Sequence, residues 1–212
     1  SVDRPFNRGQ ELPALQWAQV SGQAKGKAGA KKAGLLLVND SKHGHSLDGS
    51  TLRLTLIRAS YEPDPLPEIG EHEVHLALRP FAGELPVAEA VRAGRALNHA
   101  LRVVGTDVHK GKLSVSAGLI TVAPGTVTLH SLKKAEREDG LVMIFSEPSA
   151  RAATIEVDFD RTRLGRVRVA VEVDLMERPV RRSSARIRGN RVRLRIPAHG
   201  IASVLVRLAG RG

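Results

Sequence analysis

Residues 34–58 read GLLLVNDSKHGHSLDGSTLRLTLIR, and residues 61–72 continue as YEPDPLPEIGEH. The apolar run at 35–38 predicts a strand, and NDSKHG a polar turn cluster. LRLTLIR at 52–58 then predicts a second strand, because alternate residues of an extended chain take opposite faces. Pro63, Pro65 and Pro67 hold the next segment as a rigid loop. A strand, a turn cluster, a strand ending in arginine and a stiff loop make an antiparallel β reading.

Outward from this stretch the period of two persists. It recurs at 73–78, 113–116, 119–122, 127–132, 141–145, 153–159, 166–173, 191–196 and 203–208, with β-branched residues at many inward positions. Asp48-Gly49, Pro124-Gly125, Asp139-Gly140 and Gly189-Asn190 punctuate the runs, and Gly189-Asn190 between RIR and RVRLRI is a two-residue hairpin signal. Many short strands with regular turns predict an all-β antiparallel β-sandwich fold in two domains, residues 1–123 and 124–212, divided at APGT. PVAEAVRAGRALNH at 86–99 breaks the pattern and reads as a short helix or connector. SGQAKGKAGAKKAG at 21–34 has no apolar periodicity and reads as a mobile surface loop.

Composition bounds the function. With 42% hydrophobic residues over 212 positions the chain folds and buries a core. It has no cysteine, which excludes disulfides, thiolate nucleophiles and cysteine–zinc sites, and suits a reducing, cytoplasmic setting. No apolar run has the length of a membrane span. The first residue is Ser, which reads as a start inside a longer gene product or after processing. The net charge of +11 invites nucleic acid as a partner. Yet the arginines of RVRVAVEV and RVRLRI alternate with apolar residues, as on the wet face of half-buried strands, and aromatic residues are only 3%. A solvated basic surface is the better account.

The remaining constellations have plain alternatives. His43 and His45 with Asp40 offer zinc-type ligands, but residues two apart on an extended segment point to opposite faces. Asp64 and Glu68 share one loop, whereas glycosidase carboxylates flank a sugar. No nucleophile elbow, phosphate loop or dinucleotide fingerprint is present. Trp17 reads as a core residue; Trp17 and Tyr61 together make a poor sugar platform.

Several segments, taken in order, resemble glycoside hydrolase family 38, the α-mannosidases, in its carboxyl-terminal β region. RPFN and ELPALQWAQVS near the start are similar to the family's Arg-Pro and Glu-x-Pro…Trp-Ala-Asp-Leu-Ser stretch. LLLVNDSKHGH resembles its strand followed by Asn-Asp-Cys-Lys-Tyr-Gly-Tyr, with Ser41, His43 and His45 as replacements. LRLTLIRASYEPDP, EIGEHEVHLALRP, ALNHALRVV and VTLHSLKKAEREDGLVMIFSEPSARAATIEVDF continue the likeness. It implies a supersandwich-like larger domain followed by a smaller β-sandwich.

The resemblance also implies a parent enzyme that cleaves α-mannosides with retention, using two carboxylates about 5–5.5 Å apart and a zinc ion. Those groups belong to a catalytic domain that this chain lacks. So no catalytic residue, metal ligand or cofactor is expected here, and the chain alone should be inert. Its implied partners are the catalytic and helical domains of the same protein, and mannoside through them. Arg58 matches a family arginine that reaches the sugar site; with Asn39, Asp40, His43, His45, Asp64 and His72 it forms the candidate pocket rim. An ion pair of Arg58 with Asp64 or Glu68 is the structural alternative. A basic nucleic-acid-binding β protein and a stand-alone carbohydrate-binding module stay open as rival functions.

Overall fold

A computed structural model describes residues 9–26, 29–59, 61–63, 68–111 and 114–209. The protein is all-β, with four antiparallel sheets. It divides into two units, one ending at Val103 and the other beginning at Val104. The second unit starts well before the expected border at 123/124, because the strand Ile120–Ala123 pairs with Ala153–Phe159 and belongs to its sheet.

The first unit contains β1 (Leu12–Pro13), β2 (Trp17–Gly26), β3 (Gly29–Asn39), β4 (Gly44–Asp48), β5 (Thr51–Leu54), β6 (Leu76–Ala82) and helix α1 (Val87–Asn98). They form two three-stranded sheets, ordered β2-β3-β6 and β1-β4-β5. Alternate residues of β3, Leu36 and Val38, are buried and form a core with Leu85 and Ala90, against which Trp17, Phe81, Ala93 and Leu97 pack. Trp17 is therefore a packing residue, as its sequence context suggests. Helix α1 answers the Ala-rich run at 86–99; Glu89 in its first turn and Arg95 in its last complement the helix dipole. Gly94 lets the helix approach the sheet, since a Cβ there would lie 3.2 Å from Trp17 Cδ1.

Three expectations are corrected in this unit. The expected mobile loop at 21–34 is strand at 21–26 and 29–34, where β2 and β3 pair in register from Ser21↔Gly34 to Gly26↔Gly29, while residues 27 and 28 lie outside the described residues. Ladder hydrogen bonds satisfy the backbone of these strand residues without the large apolar side chains that betray a strand. The strand expected at 73–78 lies at Leu76–Ala82. LRLTLIR stops as a strand at Leu54; beyond it Leu56 and Ile57 are 48% and 50% exposed, so both faces are wet and alternation loses its cause.

The second unit is a β-sandwich. One sheet, ordered β12-β13-β10-β7, comprises β7 (Ile120–Ala123), β10 (Ala153–Phe159), β12 (Arg186–Arg188) and β13 (Arg191–Ile196). The other, ordered β11-β14-β9-β8, comprises β8 (Thr128–Lys134), β9 (Leu141–Ser146), β11 (Arg166–Val173) and β14 (Ile201–Ala209). A four-residue helix α2 (Arg161–Leu164) links β10 to β11. Both sheets give inward residues to one core: Met143, Phe145, Val204 and Val206 meet Ile155, Val157, Val192, Leu194 and Ile196. In β13 burial alternates strictly, with Arg191, Arg193 and Arg195 outside. Arg191 pairs with Glu156 at 3.0 Å and Asp158 at 2.8 Å, and Arg193 with Glu156 at 3.3 Å. The arginine stems cover the sheet while their heads stay wet.

The Gly189-Asn190 turn joins β12 to β13 as expected, with Arg188 opposite Arg191 and Gly189 at φ +64°. Its asparagine also ties the two sheets. The Asn190 Nδ2 donates to Phe159 O (2.7 Å) and Gly165 O (3.1 Å), and its Oδ1 accepts from the Val167 N–H (2.8 Å). The strand expected at 113–116 is absent from the described residues there: Ser114 and Ser116 lie outside any strand and Val115 is fully exposed, while Leu113 lies outside the described residues.

Candidate functional site

The site grows out of the β1-β4-β5 sheet. β4 sits between its neighbours, with Leu12↔His45 and Pro13↔Gly44 on one side and His45↔Leu54 on the other. This pairing brings Glu11, just before β1, beside Gly44, 33 positions later. Glu11, Pro13, His43, Gly44 and Arg58 line a cleft of about 470 Å³.

The Glu11 and His43 side chains and the main chain of Arg58 are held by hydrogen bonds. The Glu11 carboxylate accepts from the Thr55 hydroxyl at 3.0 Å. Gly44 is required for that approach: a Cβ there would lie 1.8 Å from Glu11 Oε1. The His43 ring donates through Nδ1 to Leu15 O at 3.1 Å, which fixes its orientation. The main chain of Arg58 is pinned by its N–H donating to Glu68 Oε2 at 2.8 Å. Thus Glu68 grips the backbone of Arg58 and not its guanidinium, which differs from the ion pair considered from sequence. Asp64, the other partner considered, lies outside the described residues. A carboxylate, an imidazole and a guanidinium around one cleft can donate to and accept from several hydroxyl groups.

The other rim candidates lie nearby without lining this cleft. Asn39 is fully buried at the end of β3. Its Oδ1 accepts the Lys42 N–H at 2.8 Å, and its backbone carbonyl accepts from Asn98 Nδ2 at 3.0 Å. It shapes the turn that delivers His43. Asp40 accepts from the ring Nδ1 and the backbone N–H of His75, at 2.8 and 3.1 Å, and from the Ser41 hydroxyl. The hydrogen bond to His75 holds the Asp40 carboxyl below the usual carboxylate range. In return Asp40 first, and Glu73 second, push the His75 imidazole above its ordinary value.

His45 is only 5% exposed, and its Nδ1 donates to His43 O at 3.2 Å. Burial depresses its pKa, and its buried Nε2 has no partner among the described residues. His72 donates through Nε2 to Glu68 O at 2.8 Å and so braces the loop that pins Arg58.

The structure therefore brings Arg58 and His43 together and adds Glu11 and Gly44, which sequence reasoning did not nominate. Glu11 stands in the ELP segment that carried part of the family likeness, and that was the available signal. Among the described residues no group of three or more His, Asp or Glu is placed to hold a metal ion. His43 and His45 each direct Nδ1 at a backbone carbonyl. A second cleft, of about 350 Å³, lies in the second unit beside Glu156, Asp158 and Arg191, whose charges are already paired.

No family model matches the sequence. The human protein Alpha-mannosidase 2C1 is 31% identical over 176 residues, covering 82% of this chain and 16% of the relative. A crystal structure of a glycosyl hydrolase family 38 protein from Enterococcus faecalis superposes with a TM-score of 0.72 at 17% identity, over 96% of this chain and 23% of that one. An α-mannosidase from Enterococcus faecalis V583 gives 0.69 at 16% identity, over 94% and 21%. The chain thus spans less than a quarter of the length of the proteins it matches. No helix among the described residues is long and apolar enough to cross a membrane.

Proposed function

The chain belongs to the carboxyl-terminal β region of glycoside hydrolase family 38, and from that premise we propose that it is the non-catalytic β portion of an α-mannosidase. It packs on the catalytic and helical domains of the parent protein and lends the Glu11–His43–Arg58 cleft to the rim of the sugar pocket. The observation that carries this reading is the convergence of Arg58, His43 and Glu11 on one cleft, with the Glu11 and His43 side chains and the Arg58 main chain held by hydrogen bonds. The held carboxylate and imidazole, and the pinned main chain of Arg58, set the place from which its guanidinium can reach sugar hydroxyls. Bond cleavage and the zinc ion belong to the domain outside this chain, in a reducing, cytoplasmic setting. Mannoside is the substrate of the whole protein.

The test is Arg58→Ala in the longest polypeptide the gene encodes. Losing charge-assisted hydrogen bonds of about 1.5–3 kcal/mol lowers kcat/KM by roughly 10- to 100-fold. Unchanged kcat/KM, with the fold intact by circular dichroism, removes Arg58 from the pocket.

A further inference from the structure

The edges of the sheets are not treated alike. An open strand edge is a template for another chain, and proteins blunt it by shortness, bulges, charge or cover. In the second unit all four edges carry such a device. β12 has three residues with Arg186 and Arg188, and β7 has four. β11 is bulged between Val167 and Val169, and β8 between Leu129 and Ser131.

In the first unit β6 carries almost none. It runs seven residues as LALRPFA, pairs with β3 alone among the described residues, and keeps unbroken register from Leu76↔Asn39 to Ala82↔Ala33. Its only charge, Arg79, is bound at 2.7 Å to Glu89 of α1. Leu76 and Leu78 are 45% and 63% exposed on the sheet face opposite that arginine. Pro80 is the single residue that withholds a donor, and proline is tolerated on edge strands. Alternate backbone groups of an edge strand point away from its one partner. The opposite edge, β2, exposes Ser21, Gly22 and Gln23 instead of a leucine pair.

We propose that β6 is a joining edge: a further strand of the same polypeptide, from outside these 212 residues, pairs with it and covers Leu76 and Leu78. The occupant is argued from length, since the human relative extends over some six times the matched stretch. An apolar edge blunted only at Pro80 fits a permanent partner within one protein better than a transient one. This deepens the packing half of the proposed function and rests on it, but not on Arg58 reaching sugar.

Hydrogen–deuterium exchange of residues 76–82 tests it, in this chain alone and in the longest polypeptide its gene encodes. The expected result is fast exchange in the isolated chain and slowing of at least roughly 100-fold in the longer one. Leu78→Lys should leave the melting temperature of the isolated chain unchanged and abolish that slowing. Equal exchange in both forms overturns the proposal. So does a concentration-dependent dimer of the isolated chain, by light scattering, that itself protects 76–82, because the occupant is then a second copy. If β6 is protected while Arg58→Ala leaves kcat/KM intact, the pocket reading fails and the joining edge stands.

Discussion

Gly44→Ala is the sharpest probe of how the cleft is built. The added Cβ would lie 1.8 Å from Glu11 Oε1 and 2.6 Å from its Cδ, so the carboxylate must swing away. Doing so breaks the 3.0 Å bond from the Thr55 hydroxyl. That loss is about 0.5–1.5 kcal/mol, and an off-rotamer Glu11 adds about 0.5–1.5 kcal/mol. Alanine in place of glycine returns about 0.4–1 kcal/mol by restricting the unfolded chain, since Gly44 has no positive φ that would forbid it. The net effect is a destabilisation of about 1 kcal/mol.

In a Glu11→Ala background nothing obstructs the new methyl, so the same substitution should stabilise by about 0.4–1 kcal/mol. A double-mutant cycle by urea unfolding of this chain therefore shows a change of sign, with a coupling of about 1–3 kcal/mol. If Gly44→Ala has the same effect in both backgrounds, Glu11 does not occupy the position described and the cleft is not formed as argued.

Asn190→Ala removes three hydrogen bonds that tie β10 and the β11 approach to the β12–β13 turn; at about 1 kcal/mol each it should cost about 3 kcal/mol in unfolding free energy, and a loss below about 0.5 kcal/mol would show the ties to be incidental. The Asp40–His75 pair should appear in an NMR titration as a His75 pKa above the ordinary value of about 6.5, returning toward it in Asp40→Asn. Because the folded His75 value is raised, its stabilisation is full below the unfolded pKa and fades as pH rises through the folded one; the lowered Asp40 value means its share fades only as pH falls through that lower value. His45 has the opposite sign. Its depressed folded pKa makes the first unit lose stability as pH falls from about 6.5 toward the folded value, and His45→Gln should flatten that slope in acid titrations followed by circular dichroism.

The second unit was legible because burial there creates the pattern that sequence reading looks for. RVRLRI alternates in charge and alternates in exposure, since one face meets Phe145 and Val204 and the other meets water. Gly189-Asn190 declared its turn for the same local reason. The first unit hid more. β6 is apolar yet exposed at five of its first five positions, so alternation has no inside to report. The β2–β3 extension is held by its backbone ladder, and Gly, Ala and Lys there look like a loop. At the site, Arg58 and His43 followed from family resemblance. Glu11 joins them only through the β1–β4 pairing, a contact between distant positions that no local spacing encodes.

The most direct measurement of the central claim is turnover of an aryl α-mannoside by the purified 212-residue chain beside the longest polypeptide its gene encodes. Hydrolysis by the longer protein with none by this chain is the predicted result. Turnover by the chain alone, or none by either, would contradict a non-catalytic β region serving a mannosidase.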